Sequence, residues 1–207
     1  HSDKFLAALL AELDGCTERS GIAIIAATNR KTLVDPALLE RLSDVEVVVG
    51  RPDMRGARAI FEIHLPSTLP FQTHDGSAAD VRQEIIDTAV SRLYSPNGDN
   101  ELCTLRFRDG KTRAVAAREL VSGRLVQQIC RAACQQAFRR DVRGGERGLY
   151  VADMEHAVEE AIARLATTLS PRNAPDYLAG LPQDVDVVSV EPVVRRVTRS
   201  YRYRHAA

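Results

Sequence analysis

Apolar residues recur at helical spacing at the beginning of the chain. Residues 2–13 place Phe5, Leu6, Leu9, Leu10 and Leu13 on one face, and Gly15 follows where helices commonly end. The next two apolar segments, residues 22–27 and 45–49, are short, continuous and rich in Ile or Val. Such segments are typical of strands buried on both faces of a parallel sheet. Between them, Asp35-Pro36 predicts the start of a short helix.

Helical spacing returns after Asp53 and continues through most of the remaining chain. The pattern predicts four helices, over residues 54–64, 80–94, 123–140 and 153–169. Asp80 and Gln83 form a capping pattern at the start of the second. Residues 65–79 contain two prolines and predict a loop, and residues 144–148 predict a turn between helices.

Two β-rich segments interrupt this helical part. Residues 101–116 alternate apolar and polar side chains around Asp109-Gly110, a sequence typical of hairpin turns. Residues 184–198 are rich in valine. Because an isolated hairpin is marginally stable in water, we expect the valine-rich segment to add a third strand to it.

Three short motifs in the first 53 residues carry a family resemblance. They are LLAELDG at residues 9–15, AATNR at 26–30 and DPALL at 35–39, and together they resemble the second half of an AAA+ ATPase core. The resemblance implies that Asn29 is the sensor residue beside the attacking water. It also implies an arginine finger shortly after DPALL, for which Arg41 is the candidate and a surface ion pair the alternative. Arg51 lies in the following GRPD turn and is a poor candidate.

The phosphate-binding loop of such an ATPase, GxxxxGK[ST], does not occur in this sequence. Its nearest match is Gly110-Lys111-Thr112, but Leu105 stands where the first glycine is required, so we interpret the tripeptide as part of the hairpin. We therefore expect a fragment of a larger ATPase that does not hydrolyse ATP alone. ATP and Mg²⁺ are the implied cofactors, and the metal would be held mainly by parts outside this chain.

The segments after Asp53 resemble the proteasomal ATPases of actinobacteria. The similar stretches are IFEIHLPSTLP, ELVSGRLVQQICRAACQQAF and SPRNAPDYLAGL. The resemblance implies a partial α/β core with a parallel sheet (residues 1–53), a helical lid with an inserted hairpin (54–170) and a β-rich extension with a basic tail (171–207). It implies nucleotide contacts by Ile60, His64, Ser122 and Gly123. Arg124 is either an extra phosphate-sensing arginine or a surface residue.

The resemblance also implies a hexameric ring that unfolds and translocates protein substrates. A protein remodeller without a proteasome and a catalytically degenerate scaffold are the alternatives. Proteasomal ATPases end in a penultimate tyrosine, whereas here Tyr203 lies four residues before the last position. We therefore expect weak or no docking to a proteasome core.

Composition adds three expectations. Residues 195–207 hold five arginines and no acid, but the sequence offers no second basic cluster, so we do not expect a nucleic-acid partner. The four cysteines are scattered without metal-ligand spacing, which favours reduced thiols and a cytoplasmic location. No apolar run approaches the roughly 18 residues of a membrane span.

Overall fold

The computed structural model describes residues 2–16, 23–42, 44–73, 76–96, 100–178, 180–181 and 186–193. The chain divides into two compact units, His1–Gly50 and Arg51–Ala207. The predicted basic tail, with Tyr203, lies outside the described residues. In the described part, no helix is both long and apolar enough to cross a bilayer.

The first unit contains two helices, α1 (Ser2–Cys16) and α2 (Pro36–Leu42), with a 3-10 turn at Lys31–Leu33. α1 and α2 contact each other. The start of α2 is as predicted, because a side-chain oxygen of Asp35 accepts a hydrogen bond from the amide of Ala37 at 2.8 Å.

Among the described residues of the first unit, no strand of the predicted parallel sheet is assigned. Residues 23–28 and 46–50 are not assigned to strands, and Ile25 and Val49 are 93% and 91% exposed. A parallel strand of this kind is stable only between hydrogen-bonded neighbours that are themselves covered by helices. Within the described residues of this unit, the two segments have no such neighbours.

Helices form most of the second unit. They are α3 (Met54–His64), α4 (Ala78–Tyr94), α5 (Gly123–Val142), α6 (Val151–Ala166) and the short α7 (Ala174–Tyr177). α4 begins two residues earlier than predicted, because Ser77 rather than Asp80 is its N-cap and Asp80 completes a reciprocal capping box. α6 begins and ends before its predicted bounds. At its start, the carboxylate of Asp153 accepts a hydrogen bond from the amide of Tyr150 at 2.9 Å.

The predicted three-stranded sheet is confirmed, in the order β2-β1-β3. β1 (Glu101–Phe107) and β2 (Thr112–Ala116) form the antiparallel hairpin, and β3 (Val187–Pro192) pairs antiparallel with the other edge of β1. Gly110 takes a φ of 83° in the turn, so Gly110-Lys111-Thr112 belongs to the hairpin. A register shift between Glu101 and Cys103 explains why Leu102 and Cys103 are both buried although strand side chains normally alternate.

One apolar core joins the helices and the sheet. α6 contacts α4, α5 and β1, and α3 contacts α4 and α5. The largest side chains in this core that are almost fully buried are Phe61, Leu65, Ile85, Ile86, Leu93, Leu102, Leu105, Ile129, Met154 and Ile162. Cys103 and Cys130 are buried free thiols and Cys134 is a half-buried one, as predicted for reduced cysteines.

Candidate functional site

Two of the predicted binding residues meet where α3 contacts the start of α5. A Cβ atom placed on Gly123 would lie 3.7 Å from Cδ1 of Ile60, which is an ordinary van der Waals distance. Both residues are partly exposed, and Ile60 also packs against the core. Because glycine has no side chain, the main chain is open to a flat apolar partner at this point.

Ser122 fixes the start of α5 beside this opening. Its side-chain oxygen accepts a hydrogen bond from the amide of Leu125 at 3.2 Å, and its carbonyl accepts one from Val126 at 3.1 Å. The amides of Gly123 and Arg124 come too early in the helix to have intrahelical acceptors. The start of α5 therefore offers main-chain donors at the positive end of the helix dipole, with the exposed Arg124 beside them.

His64 is the last residue of α3 and lies one turn after Ile60, so the two side chains share a helix face. It is partly buried. The end of α3 is held by Arg82 from α4, whose guanidinium donates to the carbonyl of Leu65 at 2.5 Å and to that of Glu62 at 2.9 Å. The position of His64 is thus set by packing against a neighbouring helix rather than by a mobile loop.

Asn29 lies in a bend of the first unit and is exposed. The side-chain oxygen of Thr28 accepts a hydrogen bond from the amide of Arg30 at 3.0 Å, which closes the main chain around Asn29. The amide side chain is therefore presented at the tip of a tight local structure, although residues 23–28, the described part of the expected preceding strand, are not assigned to a strand.

Arg41, the finger candidate, is engaged within its own unit. Its guanidinium donates to the two carboxylate oxygens of Asp14 at 2.5 and 3.2 Å and to the carbonyl of Ala37 at 3.0 Å. The hydrogen bond from Arg41 lowers the pKa of Asp14, and the same bond raises the pKa of Arg41. The structure thus shows the surface ion pair that is the alternative for this residue. Exposed pairs contribute little to stability and are readily exchanged.

Arg51 is a residue whose importance the sequence did not reveal. One terminal nitrogen of its guanidinium donates to the carbonyls of Leu120 and Val121 at 2.8 and 3.4 Å, and the other donates to that of Tyr177 at 3.1 Å. These acceptors are main-chain atoms 69 to 126 residues away, and a carbonyl acceptor has no sequence signature.

Two family matches divide the chain almost where the structure divides it. Residues 1–51 match the ATPase family associated with various cellular activities (AAA), and residues 52–190 match the ARC, AAA+ ATPase lid domain. The chain belongs to the AAA+ ATPases with an ARC lid.

Similar proteins occur in several actinobacteria. A protein of Kocuria rhizophila called "AAA ATPase forming ring-shaped complexes" is 33% identical over 73% of this chain and 27% of its own length. A protein of the same name from Corynebacterium kroppenstedtii is 34% identical over 79% of this chain and 30% of its own length. A "Proteasome-associated ATPase" of Beutenbergia cavernae is 34% identical over 74% of this chain and 28% of its own length. The matched part of the chain thus spans between a quarter and a third of the length of these relatives.

The residues at the start of α5 fit an adenine nucleotide, the ligand implied for an AAA+ ATPase. The opening at Gly123 is bordered by the apolar Ile60, which suits the face of a base, and the free amides after Ser122 suit a polar edge. Within the described residues, no group of three or more His, Cys, Asp or Glu side chains is placed to hold a metal ion.

Proposed function

We propose that this chain is part of a hexameric AAA+ ATPase that couples ATP hydrolysis to the unfolding and translocation of protein substrates. The observation that carries the proposal is the AAA match over residues 1–51 followed directly by the ARC lid match over 52–190. The names of the relatives, which refer to ring-shaped complexes and to proteasome association, support the ring and the link to protein degradation.

In this proposal, the lid holds the nucleoside and the first unit contributes to hydrolysis. The proposal assigns the base contacts to Ile60, His64, Ser122 and Gly123, and a phosphate contact to the exposed Arg124. The proximity of Ile60 to Gly123 supports the first assignment. Asn29 orients the attacking water, a role that a side-chain amide or similar group fills in phosphoryl transfer. Mg²⁺, when bound, would supply positive charge that favours phosphoryl transfer, and it would be held mainly by residues outside this chain.

Arg41 supplies the finger to the neighbouring subunit in this proposal. Its side chain must then exchange Asp14 for a phosphate, which is feasible because both partners are exposed. An arginine delivered in this way stabilises charge on the transferred phosphoryl group and raises turnover by a factor on the order of a thousand or more.

The test is ATP turnover by the complete protein, including the residues that precede this chain in its relatives. Asn29→Ala and Arg41→Ala should each lower turnover strongly while leaving ATP affinity within about twofold of wild type, because both groups act on the transition state. Thr32→Ala, which removes an exposed side chain from the same unit, is the control and should retain wild-type turnover. Normal turnover in Arg41→Ala would remove that residue from the mechanism.

One observation favours a second candidate function. Arg41, the finger candidate that the sequence offers, is paired with Asp14 of its own unit. An arginine held in this way is expected in a ring protein that has lost hydrolysis and serves as a scaffold. Absence of turnover in the wild-type protein, with ring assembly intact, would support the scaffold. Turnover without co-sedimentation with a proteasome core would instead support a remodeller with another outlet.

The 207-residue chain alone should bind ATP weakly and should not hydrolyse it. The lid presents a surface for the base, whereas a Gly-rich loop for the phosphates does not occur in the sequence. Calorimetry with ATP and Mg²⁺ measures this directly. Micromolar affinity would mean that other residues of this chain, which we have not identified, hold the phosphates.

A further inference from the structure

The first residues of the second unit, Arg51-Pro52-Asp53, are anchored at three points. Arg51 donates to the carbonyls of Leu120, Val121 and Tyr177, as described above. The carbonyl of Pro52 accepts a hydrogen bond from the hydroxyl of Tyr94 at 2.7 Å. The carboxylate of Asp53 caps α3 by accepting from the amide of Gly56 at 2.7 Å.

The acceptors of Arg51 lie immediately before the candidate binding residues. Leu120 and Val121 are both buried and lead directly into Ser122, the N-cap of α5. The bond to the carbonyl of Leu120 is short, at 2.8 Å, and the one to Val121 is longer and weaker, at 3.4 Å. Arg51 thereby restrains the peptide units that lead to Ser122 and Gly123. The bond to Tyr177 ties the same guanidinium to the end of α7.

We propose that Arg51 is a positioning residue for nucleotide binding, holding residues 120–124 in the conformation that leaves the main chain at Gly123 open. This inference rests on the proposed function, because it assumes that the start of α5 contacts the nucleoside. The role requires arginine rather than lysine, since a planar guanidinium presents several donors in a fixed arrangement and an ammonium on a flexible stem does not. Arg51 also directly follows Gly50, where the first unit ends in sequence.

Hydrogen exchange on the 207-residue chain tests the positioning step without nucleotide. Arg51→Met keeps most of the aliphatic stem and removes the donors. The amides of Leu125 and Val126, which depend on Ser122, should then exchange about tenfold faster, because bonds from a charged donor each contribute substantially.

Arg140→Met is the matched control. Arg140 lies near the end of α5, the helix that Ser122 begins, and like Arg51 it donates to main-chain carbonyls, those of Glu146 and Gly148. It also donates to both carboxylate oxygens of Asp153, so its loss perturbs the lid at least as much as the loss of Arg51. Its loss should accelerate exchange in residues 144–150 and leave Leu125 and Val126 unchanged. Arg51→Lys and Arg140→Lys repeat the comparison with a smaller perturbation, for use where a methionine variant does not fold.

Nucleotide affinity of the complete protein tests the functional step, with a fluorescent ATP analogue as the probe. Arg51→Met should weaken binding by about tenfold, Arg51→Lys by less, and Arg140→Met should bind as wild type. Gly123→Val serves as the reference, because it fills the opening directly and tests the proposed site independently of Arg51.

The outcomes separate the two proposals. Faster exchange and weaker binding in Arg51→Met, with normal behaviour of Arg140→Met, support the inference. Unchanged exchange of Leu125 and Val126 overturns it. Faster exchange with unchanged affinity also overturns it, and Gly123→Val then shows what failed: weaker binding there retains the proposed nucleotide site, whereas normal binding rejects the site as well.

Discussion

Among the glycines that the structure describes, Gly148 is the one whose added Cβ atom would lie nearest to main-chain atoms, and its replacement by alanine tests the loop geometry. Its φ is 104°, and a Cβ atom there would lie 2.9 Å from the amide nitrogen of Gln72 and 3.0 Å from the carbonyl carbon of Phe71. Both neighbours are main-chain atoms, which cannot rotate away as the end of a side chain can. They belong to the segment bridged to Leu149, whose amide donates to Pro70 at 2.8 Å and whose carbonyl accepts from Gln72 at 3.1 Å.

Two costs combine in Gly148→Ala. Placing a Cβ at positive φ costs about 1–2 kcal/mol. Moving the two main-chain segments apart weakens two hydrogen bonds, each with a net value of about 0.5–1.5 kcal/mol. We therefore expect a loss of about 2–5 kcal/mol in the free energy of unfolding of the second unit.

Gly144→Ala is the control for the first cost alone. Gly144 has a φ of 77°, but no heavy atom lies within 4 Å of its hypothetical Cβ. Its replacement should cost only about 1–2 kcal/mol. Urea unfolding of both variants, followed by far-ultraviolet circular dichroism, gives the two free-energy differences. Equal losses in Gly144→Ala and Gly148→Ala would show that the close approach to Phe71 and Gln72 does not occur.

Three further predictions concern titration, thiol reactivity and the sheet. Burial, with a smaller contribution from Asp53, raises the pKa of Tyr94 from 10.0 to about 12, so the unfolded chain loses this proton first and stability should fall as the pH rises from 10 to 12. Unfolding of Tyr94→Phe over that range should show a smaller fall, and an identical pH profile would contradict the assignment. Burial raises the pKa of Cys130 to about 12, so at pH 8 Cys130 should react with iodoacetamide only when the chain unfolds, and rapid native-state labelling would contradict its burial. In hydrogen exchange, the paired amides of β1 and β3 should open as one unit, whereas free exchange of β3 beside a protected hairpin would refute the pairing.

Most of the predictions that the structure confirms in the second unit rest on local sequence patterns. The bounds of α3 were predicted without error, because Asp53 caps its start and a proline follows shortly after its end. The hairpin and its third strand followed from alternation, Asp-Gly turn chemistry and the marginal stability of two strands alone. Each of these signals lies within a few residues of the structure that it determines.

The features that sequence reasoning missed depend on atoms far away in the chain. The carbonyls bound by Arg51 can belong to any residue type, so no pattern points to them. The segments 23–27 and 45–49 are not assigned to strands for a related reason. Their apolar composition suits strands covered on both faces, and the described part of the first unit does not provide that cover. The contact of Arg41 with Asp14 joins side chains 27 residues apart, so the sequence around Arg41 does not predict it.

The uneven distribution of burial makes the proposed tests easier to interpret. Every large side chain that is almost fully buried among the described residues belongs to the second unit, whereas Ile25, Val47, Val48 and Val49 of the first unit are largely exposed. The cooperative stability of the 207-residue chain therefore comes mainly from the lid. Substitutions at the exposed Asn29 and Arg41 should leave its unfolding unchanged, so a loss of turnover in the complete protein would reflect chemistry rather than misfolding of the lid. Gly123→Val and Arg51→Met change the lid itself, and for this reason their affinities need the exchange data and the Arg140 control beside them.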